Sequence, residues 1–161
     1  MMNWRNRPVL FLALALLVLP LFVGCGGEST PDNPKQTVIA VFGAMERNDK
    51  AALAHLLDLT ELMRDTGHDY ALGSDSARTF TSPQDILDDL TNDGLTKRRW
   101  FSMQRIVNNV DVMGETATVE VTFQDKQSGK AYLTKFGVHM VNGQWKVYSF
   151  RTQGAPEESV E

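Results

Sequence analysis

The sequence predicts an α+β domain in which N-terminal helices pack on a curved, four-stranded antiparallel sheet, the whole preceded by a signal peptide. Two patterns carry this reading. Val38, Val41, Phe42 and Met45 recur at i, i+3, i+4 and i+7, the spacing of a helix with one buried face. After Gly94 the period falls to two, and Ala117, Val119, Val121 and Phe123 alternate with Thr118, Glu120, Thr122 and Gln124. Helices first and strands after is the order of a chain that lays its helices on one face of a sheet.

The first segment is read by its charge and oiliness. Met1 to Arg7 carries two positive charges, Arg5 and Arg7, and no acid, and from Val9 to Val23 every residue is apolar or proline. A basic start, an apolar run and small residues at its end make a secretory signal. A membrane-spanning helix is the alternative, but it needs ~20 apolar residues, and this run is shorter and contains Pro20. Cys25, the only cysteine in the chain, stands where the apolar run gives way to polar residues. Leu21-Phe22-Val23-Gly24-Cys25-Gly26 resembles a bacterial lipobox, with Phe22 where that motif prefers Leu. The resemblance implies a diacylglyceryl group on the Cys25 thiol, cleavage just ahead of it, and residues 1–24 as a lipoprotein signal peptide. An ordinary signal with a chance cysteine would instead leave an unpaired thiol in an oxidising compartment. Two or more acyl chains, at about 0.8 kcal/mol per buried methylene, hold a protein on its membrane. The expected location is therefore the exported side of the cell envelope, lipid-anchored to a bacterial membrane. Residues 25–33, rich in Gly, Ser, Pro and Asp, read as a flexible tether.

Charge narrows the partners. The chain has 16 basic and 20 acidic residues, and without the two signal arginines the balance is 14 to 20, a net charge of −6. One domain with one core is expected at this length. An acidic domain is a poor partner for nucleic acid and is repelled by anionic lipid. The lone basic cluster, Lys97-Arg98-Arg99 beside Trp100, reads as a charged strand end with a half-buried Trp rather than as a phosphate site. With no second cysteine the core holds together by burial, without internal disulfides.

The elements follow from their start and stop signals. Asn33-Pro34-Lys35-Gln36 supplies an N-cap, a proline at the first helical position and a glutamine placed for a capping box. Arg47-Asn48-Asp49 ends that helix, and Asp49 caps a second one whose stripe is Ala52, Leu53, Leu56 and Leu57. Thr60 to Arg64 adds a turn before Gly67, and Asp69 to Thr81 reads as a loop or lid. Ser82-Pro83-Gln84-Asp85 opens a third helix through Ile86, Leu87 and Leu90, stopped by Asn92-Asp93-Gly94. The first strand is expected from about Arg99 to Val112. Gly114-Glu115, Ser128-Gly129 and Asn142-Gly143 mark the reversals of a four-strand meander, the last pair tolerating the positive φ of a type I′ turn. Trp145, just past that turn, is expected to be buried against the first helix near Val38 and Phe42. The acidic stretch 153–161 reads as a disordered tail.

"PKQTVIAVFGAMERNDKAALAHLL", "VDVMGETATVEVTF" and "VNGQWKVYSF" are together similar to the cone-shaped nuclear-transport-factor-2-like superfamily, in particular its bacterial lipoproteins. The shared marks, Ala44 to Asp49 after the first helix and the closing Gly143-x-Trp145-Lys146-Val147, are structural. The resemblance implies a cone-like domain over residues 34–152. It spans isomerases, dehydratases, transport, assembly and immunity proteins, so fold alone transfers no activity. Family enzymes place an Asp or His, often with a Tyr, inside the cone, where burial shifts a pKa into the range proton transfer needs.

The possible actors are His55, Asp58, His68, Asp69, Tyr70 and Tyr148, with no family catalytic motif among them. His68-Asp69-Tyr70 is the most chemical-looking triplet, although loops carry such residues for turn reasons alone. His55 is read as a surface residue of a short helix. His139 shares a strand face with Lys135 and is assigned to solvent. Three scattered histidines make no usual metal set, and neither a phosphate loop nor any cofactor motif is present. The expected function is therefore a membrane-tethered, non-catalytic binding module, its partner a small apolar ligand or another envelope protein. The alternative is an isomerase, dehydratase or hydrolase using the cone, which requires an acid–base pair in an open apolar pocket. Filling of the cone by Phe42, Met45, Trp100, Phe123 and Trp145 would leave such chemistry no room.

Overall fold

The computed structural model describes residues 31–64 and 80–153. Here the helices come first and a four-stranded antiparallel sheet follows, as the α+β reading expects. Helix α1 (Pro34–Arg47) starts where Asn33 accepts the N–H of Gln36 at 2.9 Å, and it ends at Asn48 in the left-handed region, φ 58°. Asp49 accepts from the N–H of Ala52 at 2.9 Å and opens α2 (Lys50–Leu56). Asp58 opens α3 (Leu59–Arg64), its Oδ1 accepting from Thr60 and Glu61 at 3.2 and 3.1 Å. Ser82 and Asp85 form a reciprocal capping box at the head of α4 (Pro83–Asp89).

The next element departs from expectation. Residues read as the start of a strand form a further helix, α5 (Leu95–Phe101), and strand β1 (Gln104–Met113) begins only after it. Gly94, at the N-cap position, offers no side chain, and the cap comes from Asp89 instead. Its Oδ1 accepts from Leu95 and Thr96 at 3.1 and 3.4 Å, and its Oδ2 accepts the Thr96 hydroxyl. Asp89 is buried, and Gly94 passes so close to its carbonyl that any Cβ would collide. Trp100 is correspondingly not a half-buried strand residue: it is fully buried and lies at the centre of the core.

Strands β1, β2 (Thr116–Gln124), β3 (Ala131–Val141) and β4 (Gln144–Gln153) pair in sequence order as a meander. The β3–β4 turn has Asn142 and Gly143 at φ 51° and 79°, the type I′ conformation the dipeptide favours. Register breaks between Val107 and Val110 in β1, and again where Tyr148 of β4 is left without a partner; such bulges bend strands. Helices cover one face, where Val38, Val41 and Leu53 meet Val119, Phe136 and Val147. At the free side of β4, Leu57 bridges Val147 and the Asp58 N–H donates to the Val147 carbonyl at 2.8 Å, so the corner between α2 and α3 covers that edge. Trp145 is only partly buried, at the rim of the core rather than within it.

Candidate functional site

The helix-facing side of the sheet is closed by aromatic packing. Phe42, Trp100, Phe123, Phe136 and Phe150 meet mostly edge to face, with centroids 5.1 to 6.1 Å apart. Of the five residues expected to fill the cone, Phe42, Met45, Trp100 and Phe123 do so, and Trp145 stands at its edge. Among the described residues no imidazole joins them, and the one buried carboxylate, Asp89, is spent on the head of α5.

The opposite face holds the pair sought inside. His139 is not left to solvent: its Nε2 lies 3.0 Å from Asp58 Oδ2, and its ring stacks on Tyr148 with centroids 4.6 Å apart. An ionised carboxylate only accepts, so the imidazole N–H donates. The placement follows from strand alternation. Phe136 and Val138 point into the core, whereas Gly137 and His139 point away from it. Gly137 is the enabling residue, since a Cβ there would strike the Ser149 hydroxyl and come within 2.9 Å of the Tyr148 ring. The Tyr148 bulge turns that ring onto the glycine, beneath His139. Asp58 arrives from the α2–α3 corner and works at both oxygens, one capping α3 and the other holding the histidine. The side chains of His139 and Asp58 keep 24% and 19% of their exposure, so this is a half-wet clasp and not a dry acid–base site.

Of the residues proposed from sequence, Asp58 and Tyr148 are thus brought together, and His139, which sequence reasoning set aside, joins them. Asp58 and His139 stand 81 positions apart, so no local signal joins them; Asp58-Leu59-Thr60-Glu61 is the helix-start pattern that could have marked Asp58 as a cap. His55 is exposed on α2. Cys25, His68, Asp69 and Tyr70, and the tail 154–161, lie outside the described residues. Among the described residues no three metal-binding side chains converge, and no helix is long and apolar enough to cross a membrane. An open cleft of about 450 Å³ between α4 and the start of α5 is lined by Asp85, Asp88 and Asp89. All three are already engaged: Asp85 in its capping box, Asp88 with Lys50, Asp89 at α5.

The basic cluster sits at one end of this fold. Arg105, at the start of β1, stacks on Phe101 at 3.8 Å and donates to the Trp100 carbonyl at 3.1 Å. Burial pulls its guanidinium below the usual value, while the field of Glu46 pushes it back up. Arg99 lies over the ring of Tyr132 at 5.8 Å, its buried Nε without a hydrogen-bond partner.

No family model matches the chain, and no curated protein does. Solved structures similar to it include an NTF2-like protein of unknown function from Silicibacter pomeroyi (17% identity, 74% of this chain and 91% of that one, TM-score 0.45). Another is a candidate dehydratase of the NTF2-like family from Streptomyces avermitilis (19%, 75% and 92%, TM-score 0.49). A third is an NTF2-like protein of unknown function from Cytophaga hutchinsonii (14%, 80% and 95%, TM-score 0.43). These likenesses carry no activity to this chain.

Proposed function

We propose that the chain is an exported lipoprotein, anchored through Cys25, whose NTF2-like domain is a non-catalytic binding module. The packed aromatic interior supports this reading most directly: Trp100 and Phe123 are fully buried among phenylalanines, so the described part of the interior is filled by rings rather than by an acid–base pair. Binding then falls to outer surfaces and to loops. The anchor is supported by the basic, apolar and small-residue succession that ends at the lone cysteine. Metabolic labelling with a fatty-acid probe tests it: wild-type protein should carry label and Cys25→Ser should not, and an unlabelled wild type refutes the anchor.

The enzyme reading draws on the His139–Asp58 pair, an imidazole oriented by a carboxylate, as proton-transfer sites use. Two features weigh against it. The pair faces away from the core, and Asp58 is already committed to capping α3. Changing His139, His68, Asp69 and Tyr70 separately to Ala in the full chain, and comparing each with a deletion strain, discriminates the readings. A binding module keeps its phenotype with these changes and loses it with Cys25→Ser. Loss from one of them, with fold and membrane location intact, supports the enzyme.

A further inference from the structure

The stretch between Asp93 and Asp111 contains Lys97, Arg98, Arg99 and Arg105 and no acidic residue, in a chain whose acids outnumber its bases by 20 to 16. Helix α5 carries the first three, and Arg105 lies beside it at the start of β1. None of the four has a carboxylate within ion-pair distance among the described residues. The acids whose fields reach them are Glu46, toward Arg105, and Asp125, toward Arg99; Asp125 is itself occupied by the N–H groups of Gln127 and Ser128.

Rings, rather than counter-ions, hold three of these cations, and Arg98 is exposed. Arg105 is fixed between Phe101, at 3.8 Å, and Phe42, at 5.7 Å, with one N–H on the Trp100 carbonyl. Lys97 Nζ lies 5.8 Å from the Phe101 centroid and donates to Asn48 Oδ1 at 2.6 Å, and Arg99 rests on Tyr132. A guanidinium stacked and anchored in this way has given up its side-chain freedom before any ligand arrives, and it keeps further N–H donors for a planar oxyanion.

We propose that α5 and Arg105 form a docking surface for an acidic segment of a partner protein, whose carboxylates the guanidiniums receive. This rests on reading the domain as a binding module. Two observations favour a protein segment over a lipid surface. Helix α1 has 14 residues, a span of about 20 Å at 1.5 Å per residue. The chain enters at Pro34, beside Asn108, whose carbonyl accepts from Lys35 at 3.2 Å, whereas Lys97 meets the far end of α1 at Asn48. An N-terminal anchor therefore attaches at the end of α1 that lies against Asn108, opposite the end that meets Lys97. In addition, the net negative charge repels an extended anionic surface, while a short acidic segment senses mainly charges within a Debye length, about 8 Å at physiological salt. Arginine and aromatic side chains are also the ones that dominate protein interfaces.

Fluorescence anisotropy of a labelled hexaglutamate peptide, titrated with the full chain in uncharged detergent, tests the surface. Arg99→Gln and Arg105→Gln should each weaken binding about tenfold, whereas Lys35→Gln, which removes the same charge at the other end of α1, should change it less than about twofold. Arg105→Lys keeps the charge without the flat fork and should fall between. If Arg105→Gln fails to fold, the exposed Arg98→Gln replaces it and should weaken binding several-fold. Equal weakening by Lys35→Gln, or no binding by the wild type at low salt, overturns the proposal. So does α5-dependent binding to phosphatidylglycerol vesicles that exceeds binding to the peptide. Protein that takes the acyl label but ignores the peptide loses this surface and keeps its anchor; the reverse result loses only the anchor.

Discussion

Strands β3 and β4 share one hydrogen-bonded ladder but present two unlike faces. On the inner face Phe136 pairs with Phe150 and Val138 with Val147, all fully buried against helices and the ring of Trp100. On the outer face Gly137 and His139 meet Tyr148 and Ser149, and a single carboxylate from a remote corner completes the contact. The inner face is held by area, many weak contacts that substitute for one another. The outer face is held by fit: one missing Cβ, one bulge and one hydrogen bond. Damage to the first should be graded with volume, and damage to the second should be local and specific.

Trp100→Ala tests the inner face hardest. It empties the position around which four phenylalanines pack and should cost about 3–5 kcal/mol. Trp145→Ala, at the rim, should cost less than half as much, and urea midpoints of the two variants give the ratio. Equal losses would mean that the rim is as dry as the centre.

Gly137→Ala tests the outer face. The new methyl collides with Ser149 and the Tyr148 ring, and the overpacking should cost about 1–3 kcal/mol. The near-ultraviolet tyrosine signal should change as the ring is displaced; an unchanged spectrum and midpoint would mean that Tyr148 does not rest on the glycine.

His139→Ala should cost about 1–2 kcal/mol, from one hydrogen bond and one ring contact. Asp58→Asn keeps the α3 cap and weakens only the histidine bond, so it should cost less. A double variant that costs no more than His139→Ala alone confirms that the two act through each other.

The smallest effect lies away from both faces. The Thr81 hydroxyl, the Thr81 N–H and the Ser82 cap hold the Asp85 carboxyl down at about 2, against an ordinary 3.8. A carboxylate lowered in the fold stabilises it above the unfolded value and loses that contribution as pH falls toward 2. Acid titration of Asp85→Asn should therefore show a shallower loss of stability between pH 4 and pH 2 than the wild type shows.

Sequence by itself determined the elements whose causes are local. Asn33, Asp49 and Ser82 each cap a helix within three residues of themselves, and Asn142-Gly143 sets its own turn, so neither depends on distant chain. The alternation in β2 likewise assigned Val119, Val121 and Phe123 to the core. Tertiary structure alone decided α5, the place of Trp100 and the outer clasp. The cap of α5 is a carboxylate on the preceding helix, reached only because Gly94 lets the backbones touch, so Leu95–Phe101 carries no start signal of its own. Once helical, that segment buries Trp100 and leaves its cations grouped at one end. His139 was misassigned for a similar reason. Alternation told which face it takes, but only folding brings Asp58 across 81 residues of sequence to meet it there. Local hydrogen bonds are written in neighbouring residues; contacts between distant side chains exist only after the backbone has closed the space between them.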